Sequence, residues 1–154
     1  MLDNIIANPD FARVMENNIQ DLIIHFFEKE QHFGVLCKIE EVTFEPELPE
    51  NIVSGFHPMT LFFLAGYTFE TAKIMDGELV FEAGFGAENF GSVVRVPLLS
   101  VMQIIIDETP VLINLATYRN TYEQKASNEI NESAIENSMN SFLSNPENSK
   151  FLKK

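Results

Sequence analysis

Residues 78–97, Glu78-Leu79-Val80-Phe81-Glu82-Ala83-Gly84-Phe85-Gly86-Ala87-Glu88-Asn89-Phe90-Gly91-Ser92-Val93-Val94-Arg95-Val96-Pro97, decide how the chain is read. Asp76-Gly77 just before them is a hairpin-turn signal, because both residues tolerate positive φ. The run 78–85 reads as a strand, Gly86 to Gly91 as a loop, and 92–96 as a returning strand. Glycines at 84, 86 and 91 mark a tight bend or a place where another backbone approaches closely. A peptide laid along a sheet needs such an opening with apolar pockets beside it. Phe85, Phe90 and the apolar side of the residues after Pro97 are candidates for those pockets.

Outward from this centre the pattern changes twice. Residues 8–33 carry helical spacing, with apolar residues at three- and four-residue steps from Phe11 to Phe27. Asn8 is a capping residue, Pro9 suits the first turn, Asp10 complements the dipole, and Gly34 is placed to end the helix. The apolar face is wide, which points to a helix covering the core on one side and a partner helix on the other. Residues 35–44 then alternate as a strand, ended by Pro46 and Pro49, and 59–65 read as a second, more buried strand. Pro97 is expected to open a short helix over 98–107, before Pro110 and a last apolar stretch, 111–115. This order predicts α+β: an N-terminal helix followed by a small, curled, mostly antiparallel sheet.

Composition bounds the function. The 154 residues are 45% hydrophobic and 21% charged, which suits one domain with a real core. Residues 1–118 hold 18 Asp and Glu against 5 Lys and Arg, whereas 119–154 hold 5 against 5, so the net charge of −13 sits on the first segment. A surface that acidic repels phosphate backbones and argues against nucleic-acid binding. No apolar run reaches about 18 residues, so no spanning helix is expected. The acidic start, Met1-Leu2-Asp3-Asn4, is unlike a secretory signal, and a single cysteine fits a reducing compartment. The expectation is a soluble, cytoplasmic domain over 1–118, a polar linker over 119–149 and a terminal peptide over 150–154. Within the linker, Ile135, Met139, Phe142 and Leu143 are spaced for one short amphipathic helix.

Catalytic chemistry finds little footing. Cys37 sits in an apolar strand away from any base and reads as an inert core thiol. His25, His32 and His57 are too scattered for a metal motif, so neither metal nor cofactor is expected. The acidic run from Glu40 to Glu50 reads as a solvated strand edge. The glycines at 84–91 lack a following Lys-Ser/Thr and are no phosphate loop. The chain reads as a non-enzyme.

The pair formed by 79–86 and Val94-Arg95-Val96-Pro97-Leu98-Leu99-Ser100-Val101-Met102 resembles the stringent starvation protein B (SspB) family, the adaptors of the ClpXP protease. The likeness spans roughly residues 10–116. It implies a curled, partly open barrel of the Sm/SH3-like kind with a flexible C-terminal tail. It further implies a homodimer formed through the first helix at Val14, Asn18, Leu22 and Phe26. The family's groove binds the ssrA degradation tag. By position, that groove here is Phe81, Ala83, Gly84, Phe85, Gly86 and Ala87, facing Val101, Met102 and Ile105. The family's chain ends in a short apolar-basic peptide that docks on the unfoldase ClpX, and Lys150-Phe151-Leu152-Lys153-Lys154 is similar to it. Gly84 stands where better-known members carry arginine, and Ile105-Ile106-Asp107 where they carry Tyr-Ala-Arg.

Two competing readings stand beside this one. Asn114-Leu115-Ala116 is weakly similar to a SecB-like cytoplasmic chaperone, which predicts binding to long unfolded segments and a tetramer. A small-molecule site at the glycine loop predicts a ligand that raises the melting temperature without any peptide.

Overall fold

The computed structural model describes residues 1–119, and the compact unit within them is Met1–Tyr118. Two helices open the chain, α1 (Leu2–Ile6) and α2 (Pro9–Glu28). Asn8 caps α2 by accepting from the Asp10 N–H at 2.7 Å, satisfying one of the orphan donors of the first turn. The helix ends five residues earlier than its spacing predicts. Lys29 is the C-cap and Glu30 takes the left-handed turn, at φ 52°. Gly34 is therefore not a helix stop but a strand residue.

Among the described residues eight strands follow, as two four-stranded antiparallel sheets, so the α+β expectation holds. The first sheet has the order β3 (Met59–Leu64), β1 (Phe33–Lys38), β7 (Val101–Ile106), β8 (Thr109–Ile113). The second has the order β2 (Thr43–Glu45), β6 (Phe90–Pro97), β5 (Glu78–Phe85), β4 (Lys73–Met75). Short helices α3 (Glu50–Val53) and α4 (Tyr67–Thr71) fill the connections on either side of β3. The expected hairpin at Asp76-Gly77 is present, with both residues at positive φ, joining β4 to β5.

Three expectations are corrected. The strand expected over 35–44 is broken by a single 3-10 turn, Ile39–Glu41, which lets the chain leave the first sheet and enter the second. The helix expected over 98–107 is a 3-10 turn, Leu98–Ser100, followed by β7. Val101 and Ile104–106 are β-branched, and the strand gains two partners, β1 and β8, which outweighs the helix start that Pro97 suggests. Strand β3, expected to be the more buried of the first two strands, buries only one face: Phe62 and Leu64 point inward while Met59, Leu61 and Phe63 stay exposed.

The core lies between the inner faces of the two sheets and α2. Ile19, Ile23 and Phe26 of α2 meet Phe33, Val35 and Cys37 of β1, Leu79 and Phe81 of β5, and Val94 and Val96 of β6. A second small cluster, Ala12, Leu99 and Ala116, seats the start of α2 against the chain's exit from β8. Asn114 pins that exit. Its Nδ2 donates to the carbonyls of Leu99 and Val101 at 3.0 and 3.1 Å, and its Oδ1 accepts from the Ala116 N–H at 2.9 Å.

Candidate functional site: a groove on the β5–β6 ribbon

An open groove of about 560 Å³ crosses the outer face of the β5–β6 ribbon. Its floor follows from strand alternation. Phe81 faces Val94 and both are buried, so Glu82 opposite Val93 and Gly84 opposite Gly91 occupy the other face. Two glycines paired across the ribbon put no side chain of their own on the floor; the space over Gly91 is open, and the Asn89 side chain lies over Gly84.

One wall is the segment after β3. Ala65, Tyr67 and Thr68 line it, and it is fixed by hydroxyl hydrogen bonds. The Ala65 N–H donates to Thr68 Oγ1 at 3.0 Å. The Glu82 N–H donates to Thr71 Oγ1 at 2.9 Å, which ties α4 to the edge of β5 beyond the end of β4. Because the Glu82 amide points toward α4, alternation along an antiparallel strand turns the Gly84 N–H and C=O to that same side. Tyr67 donates to Glu82 Oε1 at 2.6 Å, and the hydrogen bond together with the carboxylate's charge raises the phenol above its ordinary pKa. The opposite wall is Glu45-Pro46, held to the ribbon by Ser92 Oγ donating to the Pro46 carbonyl at 2.9 Å.

Beneath the hairpin an aromatic network stiffens the floor. Phe44 stacks on Phe56 at 5.8 Å and meets Phe85 edge-on at 5.6 Å, while Phe62 contacts Phe81 at 5.7 Å. Such pairs add about 0.5–1.5 kcal/mol each beyond their buried area.

The residues expected to bind a peptide divide into three places. Ala83 and Gly84 line the groove. Phe81 and Phe85 lie under it in the aromatic network, and Gly86, at φ 74°, and Ala87 form the hairpin tip. Val101, Met102 and Ile105 belong to β7 in the other sheet, with Val101 wholly buried. Spacing missed the walls, Glu45-Pro46 and Tyr67-Thr68, because they reach the ribbon only through tertiary folding. Of the expected dimer residues, Phe26 is in the core and Leu22 packs against it, while Val14 and Asn18 are exposed one turn apart. Residues 150–154 and the expected linker helix lie outside the described residues.

Cys37 is not among the groove-lining residues. It is in the core, and burial pushes its thiol far above the ordinary range. Among the described residues no group of three or more His, Cys, Asp and Glu is placed to hold a metal ion, and no helix is long and apolar enough to cross a membrane. No family model, curated protein or solved structure matches the chain.

Proposed function

We propose that this protein is a proteolysis adaptor of the SspB kind. It holds a short degradation tag in the β5–β6 groove and delivers the tagged substrate to ClpXP through its C-terminal peptide. The observation that carries the reading is the paired glycine floor, Gly84 opposite Gly91, between two walls fixed by hydroxyl hydrogen bonds. An extended peptide laid there gains main-chain hydrogen bonds at the Gly84 edge and apolar contact with Tyr67, Pro46 and Val93. The two sheets, folded over one core, are read as the halves of a partly open barrel, and the groove opens on the outside of one half.

Delivery on this reading is tethering. A coil as long as the expected linker, 119–149, has a root-mean-square reach of roughly 30 Å. A substrate held that near the protease has an effective concentration in the sub-millimolar to millimolar range. A dimer presents two tails, so weak single contacts suffice. The reading places the protein in the cytoplasm with ClpX and tagged chains as its partners. Deleting Phe151–Lys154 tests the tether: tag binding is retained and stimulation of ClpXP degradation is lost. Degradation that proceeds as before without those residues overturns the proposal.

A further inference from the structure

The groove on the β5–β6 ribbon carries acid and no base. The register sets Glu45 of β2, Val93 of β6 and Glu82 of β5 in one row across the outer face, next to the row of Gly84 and Gly91. The two glutamates therefore stand roughly 9–10 Å apart, two strand spacings, on either side of an apolar residue. Both line the groove, and among the described residues that line it there is no Lys, Arg or His.

Neither carboxylate is neutralised where it stands. Glu82 Oε1 accepts from the Tyr67 hydroxyl at 2.6 Å, a neutral donor that leaves the charge in place. Among the described residues no cation lies within 4.0 Å of Glu82. Arg95, one row further from the glycines, reaches Glu45 only at 4.0 Å and divides its charge with Glu78 at 3.8 Å. The Glu45 side chain stays 73% exposed.

We propose, on the peptide-groove reading given above, that the groove selects a peptide with a basic side chain, Arg or Lys, set between Glu45 and Glu82. An extended peptide lying over the glycine row reaches the carboxylate row two residues further on, about 7 Å along the ribbon. A cation there has a carboxylate on each side, with the exposed Tyr67 ring beside it and Val93 under its methylene stem. Each exposed ion pair is weak alone, but two converge on one charge. An acidic side chain at that place meets two like charges, on a segment with 18 acidic and 5 basic residues.

Fluorescence anisotropy of the full chain with labelled ssrA-tag peptides tests this, each peptide residue being replaced in turn by arginine and, separately, by glutamate. At one position the arginine peptide is expected to bind about tenfold tighter than the glutamate peptide, a gap wider than at every other position. Added salt narrows it. In Glu45→Gln/Glu82→Gln the gap at that position shrinks to that of the others, while residue 82 keeps an oxygen for the Tyr67 hydroxyl. The charge-matched Asp21→Asn/Glu28→Gln, at exposed positions on α2, retains the gap. Peptides that bind without a position-dependent gap, or a gap that survives Glu45→Gln/Glu82→Gln, overturn the basic preference and leave the peptide groove standing. Failure of every peptide to bind overturns both.

Discussion

The side chain of Asn89 lies over Gly84: a Cβ built on residue 84 would fall 2.6 Å from Asn89 Cγ and closer still to its Oδ1. Asn89 sits at φ 53° in the turn between β5 and β6 and itself lines the groove. Residue 84 thus controls both the groove floor and the position of the amide above it. Gly84→Ala displaces the end of a flexible side chain rather than backbone, so the expected stability loss is under about 1 kcal/mol. Tag affinity falls several-fold because the added methyl and the displaced Asn89 amide narrow the groove. Thermal melting and peptide titration of the same variant separate the two effects.

Tyr67 and Glu82 give the groove a pH signature. The hydrogen bond favours the neutral phenol, whose pKa is raised from 10.0. The bond is therefore fully present below the ordinary phenol value and is lost as pH rises through the raised one. Peptide affinity is expected to be flat through neutral pH and to fall only above about pH 10. Tyr67→Phe removes that alkaline fall, which a titration series from pH 7 to about pH 11 measures.

Glu16 on α2 has its carboxyl raised by desolvation. A raised carboxyl favours the protonated form in the folded state, so this contribution to stability is present below pH 4.5 and lost as pH rises through the folded value. At neutral pH the ionised group costs stability. Glu16→Gln therefore raises the melting temperature at pH 7 by a small increment, a few tenths of a kcal/mol after solvent screening. The gain disappears below pH 4.5, as paired melting curves would register.

The side chain of Asn114 makes three hydrogen bonds, and the residue is 2% exposed. Asn114→Ala takes the amide donor from the Leu99 and Val101 carbonyls in the interior, and the expected loss is about 2–3 kcal/mol. Denaturant unfolding measures it. Peptide affinity of the folded fraction is unchanged, because Asn114 lies away from the groove-lining residues.

The parts of the fold legible in the sequence are those with a strong period or a definite turn residue. Helix α2 declares itself through its cap and spacing, the β5–β6 ribbon through alternation, and the start of β5 through the Asp76-Gly77 turn. Strand β7 misleads because Val101 and three consecutive isoleucines give no period, and Pro97 mimics a helix start. Helices α1, α3 and α4, at four or five residues, are shorter than any periodicity can reveal. Gly84 of the groove is visible as an unusual glycine within a strand. Tyr67 and Pro46 are not, since each gains its meaning only when α4 and the end of β2 are brought to the ribbon.

Fluorescence-anisotropy titration of a labelled ssrA-tag peptide from the same host, with a scrambled peptide as control, tests the account most directly. The account predicts saturable binding at micromolar or tighter affinity that the scrambled peptide lacks and that Gly84→Ala weakens. Equal binding of the two peptides, or none of either, contradicts it.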